Sequence, residues 1–108
     1  MKYIPILLVL SLLFLGGCAE KTGMVTAETI KVEVSDAGYS PAEVTINIGD
    51  TISWVNMGTN AHTITTKDRY LDLSAYPNQI VTKTFDKTGT YEYYCKMHPN
   101  MKGTVIVQ

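Results

Sequence analysis

Cysteine and histidine are both scarce in this chain, two of each in 108 residues. Two cysteines rule out a disulfide framework, since they allow at most one bridge. Charge of neither sign dominates: nine Lys and Arg against ten Asp and Glu leave a formal net charge of -1. No basic field therefore argues for nucleic acid as a partner. The longest apolar stretch, Ile4 to Leu15, is twelve residues broken lightly by Pro5 and Ser11, short of the about 20 that a spanning helix needs. There is no internal repeat, no low-complexity segment, and no acid–base pair or second metal cluster that would mark an enzyme. What remains is rich in Val, Ile and Thr, with seven tyrosines, a composition that leans toward one domain of β structure.

The apolar stretch fits a secretory leader. Lys2 supplies its positive start, and Leu15-Gly16-Gly17-Cys18 closes it. An apolar residue and two small ones before a cysteine resemble a bacterial lipobox, so residues 1–17 are expected to be a lipoprotein signal peptide and Cys18 the lipidated residue. Acyl chains there would anchor the protein with about 0.8 kcal/mol per buried methylene. Residues 18–27 are polar and small, without periodicity, and read as a tether. Its nine residues after Cys18 reach about 30 Å when extended. The folded domain is expected over 28–108, exported and held on the periplasmic or cell-surface side of a membrane.

Lipidation would consume the Cys18 sulfur and leave Cys95 unpaired in an oxidising compartment, where lone thiols oxidise or cross-link. Were Cys18 free, a Cys18–Cys95 disulfide would be the alternative. A metal is the other protector of an exported thiol.

From Thr29 the sequence alternates. Ile30, Val32 and Val34 share one face, as do Val44, Ile46 and Ile48, then Ile52 and Trp54, then Tyr91, Tyr93 and Cys95. A period of two marks half-buried strands. Turn signals separate them at Asp36-Ala37-Gly38, Gly49-Asp50, Met57-Gly58, Thr88-Gly89 and Gly103. "QIVTKTF" and "GTVIVQ" complete the set, whereas residues 67–78 lack clean alternation and read as loop with a little helix. Short strands with regular turns predict an all-β, two-sheet sandwich.

The chemistry lies at the strand ends. His62 opens a short strand in which it faces the same way as Ile64, Cys95 closes the Tyr91-Tyr93-Cys95 face, and His98 and Met101 follow on the next loop. Singly, His62 reads as a polar loop residue and Met101, like Met57 and Met97, as packing. Zinc competes for a Cys/His set but seldom recruits methionine. Two imidazoles, a thiolate and a thioether are the donors of a blue-copper site, in which His and Cys form a plane and Met binds weakly on the axis.

The run "GTYEYYCKMHPNMKGTVIV" resembles the ligand loop of the cupredoxins, and its Cys-x-x-His-Pro-x-Met spacing is most similar to that of amicyanins. "YSPAEVTINIGDTISWVN" is similar to the family's strand pair with its Gly-Asp turn. The resemblance covers about residues 29–108. It implies a Greek-key sandwich, one type 1 copper ion on His62, Cys95, His98 and Met101, and single-electron transfer without substrate turnover. One position departs from it. Many relatives carry Asn after the first ligand histidine, bridging the ligand loops, and here Thr63 stands there. Asn56 and Asn60 are candidate braces of the same loops.

Two functions compete: a membrane-tethered electron carrier, and a copper storage or delivery protein using Met57, Met97 and Met101. The expected partners of the carrier are redox proteins that meet a monomer at the His98 edge, framed by Met97 and Pro99, with Lys96 and Lys102 steering an acidic surface.

Overall fold

The computed structural model describes residues 26–108, in which nine strands and no helix are found. In chain order they are β1 (Thr29–Ser35), β2 (Gly38–Ser40), β3 (Glu43–Ile46), β4 (Thr51–Asn56), β5 (His62–Thr66), β6 (Asp72–Ala75), β7 (Ile80–Thr84), β8 (Gly89–Cys95) and β9 (His98–Val107). They form two mixed sheets, ordered β2-β1-β4-β7 and β3-β9-β8-β5-β6. This is the all-β Greek-key sandwich that the alternation and the resemblance together predict. The sheets face each other because the alternating apolar residues of each strand have nowhere else to leave water.

Register puts the predicted inward residues where they are needed. In the parallel β1–β4 pair Val32 lies opposite Trp54, and both are fully buried. Trp54, Tyr93 and Tyr39 fill the centre: Tyr93 meets Trp54 edge-on at 5.7 Å and Tyr39 at 4.7 Å between ring centroids. Edge-to-face contact suits the ring quadrupoles, and the Trp54 indole N–H donates to the Tyr93 hydroxyl at 3.2 Å. Gly103 faces Tyr93 across the β8–β9 ladder. A Cβ there would come within 2.3 Å of the tyrosine ring, so only glycine lets this ring lie against the strand.

The Gly49-Asp50 turn has a physical reason as well. Gly49 takes a φ of 94°, a left-handed conformation that costs glycine little. The carboxylate of Asp50 then accepts from the N–H groups of Glu28 and Asn47, each at 2.9 Å, which pins the start of β1 to the turn before β4.

Three strand boundaries differ from the sequence expectation. Residues 67–78 contain no helix; Asp72–Ala75 is an edge strand paired antiparallel with β5. Its inward set, Leu71, Leu73 and Ala75, does alternate, but over too few residues and between too many charges to stand out. The short β2 lies where only a turn was expected. And β9 begins at His98, not at Gly103, because Cys95 pairs with His98 directly across the Lys96–Met97 turn. The proposed leader, Cys18 and nearly all of the tether lie outside the described residues.

Candidate metal centre

His62 begins β5, the strand between β6 and β8, and every residue of β5 is buried. Cys95 ends β8, on the alternation that buries Tyr93. The β8–β9 register shifts between Tyr94, paired with Lys102, and Cys95, paired with His98. His98 follows after the two-residue turn.

The three side chains meet. Cys95 Sγ lies 3.8 Å from His62 Nδ1 and 3.8 Å from His98 Nδ1, and the three donor atoms all fall within 4.8 Å of one another. The imidazole rings are 5.5 Å apart and tilted by 48°. Cys95 and His62 are 0% and 1% exposed, whereas His98 is exposed. Met101, three residues beyond His98, is buried in the core cluster at 7% exposure. One thiol flanked by two imidazoles, one of them reaching the surface, fits a soft-to-borderline metal ion.

Electrostatics prepare the thiol for a cation. Burial opposes ionisation of Cys95, but the Thr63 N–H, the two imidazoles and the Met97 N–H outweigh it and bring the thiol down to about 6. The Thr63 N–H stands 3.5 Å from the sulfur. Burial also pushes His62 down, and hydrogen bonds to Asp36 and Cys95 more than reverse it. Asp36 itself was missed by the sequence reading. His62 Nε2 lies 2.9 Å from its Oδ1, and this contact, with Thr59 and Asn60, holds the Asp36 carboxyl well below the usual carboxylate range.

Thr63 fills the role that the departure from the family had placed in question. Its hydroxyl accepts from the Lys96 N–H at 2.9 Å, tying β5 to the ligand turn, while its carbonyl accepts from the Tyr39 hydroxyl. Asn56, 0% exposed, braces the loop before His62 from inside. Its Nδ2 donates to the carbonyls of Asn60 and Ala75 at 2.8 Å each, and its Oδ1 accepts from the Gly58 N–H at 2.8 Å. Asn60 contributes only its backbone to that network. Among the described residues, no buried side-chain nitrogen or oxygen lacks a partner. Lys96 Nζ lies 3.1 Å from Asp72 Oδ1, an ion pair at the surface beside the ligand turn.

Comparison with known proteins agrees with this architecture. The amicyanin of Paracoccus versutus is 34% identical over 90 residues, covering 78% of this chain and 68% of that protein. The plastocyanin of Scenedesmus fuscus is 34% identical over 88 residues, 65% of this chain and 86% of its own length. Among solved structures, a Cu(I) form of an amicyanin variant superposes with a TM-score of 0.68 at 29% identity, over 78% of this chain and 86% of that one. The family model described as a cupredoxin-like domain matches residues 5–107. With the two-sheet topology and the His62–Cys95–His98 cluster, these matches establish that the chain belongs to the cupredoxin-like family.

Proposed function

We propose that this protein is a membrane-tethered, type 1 blue-copper electron carrier. The observation that carries the reading is the symmetric cluster: one buried sulfur equidistant, at 3.8 Å, from two imidazole Nδ1 atoms. Cys95 Sγ, His62 Nδ1 and His98 Nδ1 would hold the copper ion, with the Met101 thioether as a weaker fourth donor. Support for Met101 is its thioether chemistry, its burial and its place three residues after His98 in the chain. When bound, copper supplies a one-electron Cu(II)/Cu(I) couple.

The chain's own contribution is to keep the donors still. His62 is held by Asp36 through its side chain and by its pairing with Ala75 of β6 through its backbone. Cys95 is held by its ladder and by the Thr63 N–H. Asn56 and Thr63 lock the two loops to the sheet. Donors that barely move between oxidation states lower the reorganisation that each electron transfer requires, and no substrate is turned over. His98 is the one exposed ligand, so electrons enter and leave along its ring. Met97, 53% exposed, extends that edge as an apolar surface for brief encounters with a redox partner. With Lys96 paired to Asp72, steering of an acidic partner falls mainly to Lys102. Lipid on Cys18 would keep the carrier at an extracytoplasmic membrane surface, where a monomer on a tether reaches its partners.

A copper delivery role draws support from Met57 and Met97, 60% and 53% exposed, which suit Cu(I). Voltammetry of the copper-loaded protein, followed by challenge with a Cu(I) chelator, separates the two. A reversible one-electron wave with slow copper loss supports the carrier. Rapid loss of copper to the chelator without a reversible wave supports delivery.

A further inference from the structure

The buried histidine is gripped from behind by a carboxylate that comes from a distant turn. Asp36 lies 26 residues from His62 in sequence, yet its Oδ1 is 2.9 Å from His62 Nε2. The same carboxylate accepts from the Thr59 N–H at 3.2 Å, the Thr59 hydroxyl at 2.8 Å and the Asn60 N–H at 3.3 Å. Three donors on the Thr59–Asn60 loop and one from the start of β5 thus converge on it. Gly58 is what admits it, since a Cβ at that position would stand 2.4 Å from Oδ1. An ionised carboxylate only accepts hydrogen bonds, so the proton belongs on Nε2. In the neutral ring this leaves the lone pair on Nδ1, the nitrogen that faces Cys95.

We propose that Asp36 is a positioning residue of the metal centre. Its carboxylate fixes the tautomer and orientation of His62, and its negative charge favours the more highly charged Cu(II) over Cu(I), holding the reduction potential down. Partners of this kind orient ligand histidines and raise their basicity, and losing one typically costs 10–100-fold in metal affinity. The effect on potential rests on the copper reading above; the effect on the tautomer does not.

Three full-length variants test it. Asp36→Asn keeps an acceptor for Nε2 but removes the charge, and Asp36→Ala removes both. Thr59→Val loosens the same loop with the carboxylate intact. In the metal-free parent at about pH 9, well above an ordinary imidazole pKa of about 6.5, nitrogen NMR should find His62 as the Nε2–H tautomer. Asp36→Ala should give a mixture. A parent with its proton on Nδ1 overturns the positioning role. With copper, the Cu(II)-to-Cu(I) affinity ratio should fall about tenfold in Asp36→Asn, a rise of about 59 mV in potential. Asp36→Ala should rise at least as far, and Thr59→Val should match the parent. A parental potential in Asp36→Asn, or an equal rise in Thr59→Val, overturns the role of the charge. A chain that binds no copper refutes the function proposed above, while the metal-free tautomer still decides the contact.

Discussion

In the proposed carrier Met101 is assigned two roles. It packs in the core at 7% exposure, and its thioether is a soft neutral donor six residues after Cys95 in the chain. A weak thioether donor would affect the relative stability of Cu(II) and Cu(I) more than overall affinity. Met101→Gln should therefore lower the potential, because an oxygen donor favours Cu(II), and Met101→Leu should raise it. Leu nearly conserves volume, so its stability cost should stay under about 1.5 kcal/mol. Voltammetry of both variants is the check, and unchanged potentials would mean that Met101 only packs. At this scale the sequence was most informative. His62, Cys95 and His98 are recognisable because donor types this rare, two Cys and two His in the chain, rarely cluster by accident. Asp36 was illegible for a physical reason: Asp36-Ala37-Gly38 already makes sense as a turn, and nothing local says that the carboxylate reaches a histidine 26 residues on.

The strands matter to the site through the loops that they anchor. Asn56 ends β4 with three side-chain hydrogen bonds, to Asn60, Ala75 and Gly58, in a position closed to water. Replacing it with Ala leaves those backbone groups unpaired, at about 1–3 kcal/mol for each one that stays buried. Asn56→Ala should thus lose roughly 2–4 kcal/mol of folding stability, read by denaturant unfolding of the metal-free protein. A loss below about 0.5 kcal/mol, the range of ordinary surface changes, would contradict the bracing role. Elements with sustained alternation, β1, β4 and β8, were legible because one face of each is buried against the facing sheet. The edge strand β6 was not, because its alternation spans only four residues and follows the charged run Lys67-Asp68-Arg69. The early start of β9 was hidden too, since His98-Pro99-Asn100 carries turn-like chemistry and joins the sheet only through its pairing with Cys95.

For the whole molecule, acid is the natural stress. The β5–β6 hairpin rests on two carboxylates. Asp72 is lowered by its hydrogen bond from Lys96, with Arg69 adding to it, and Asp68 by the Tyr70 N–H and the Thr66 hydroxyl. Both titrate lower in the fold than in the unfolded chain, where the ordinary value is 3.8. The folded state therefore binds fewer protons there, and its advantage is complete above that value and lost as pH falls through the lower folded one. Thermal midpoints of the metal-free protein should be insensitive to these groups above about pH 5 and drop below about pH 4. Asp72→Asn should flatten part of that drop, and an unchanged acid limb would exclude the Lys96–Asp72 pair from it.

The two-sheet frame, its buried aromatic centre and the paired loops all converge on holding one thiolate between two imidazoles. The visible absorption spectrum on adding one equivalent of Cu(II) to the metal-free protein tests that claim most directly. Intense thiolate-to-copper absorption should appear, and Cys95→Ser should abolish it while the β fold survives, because the core closes without the metal. A parent that binds Cu(II) yet stays pale, or a serine variant as intensely coloured as the parent, would contradict a copper–thiolate centre at Cys95.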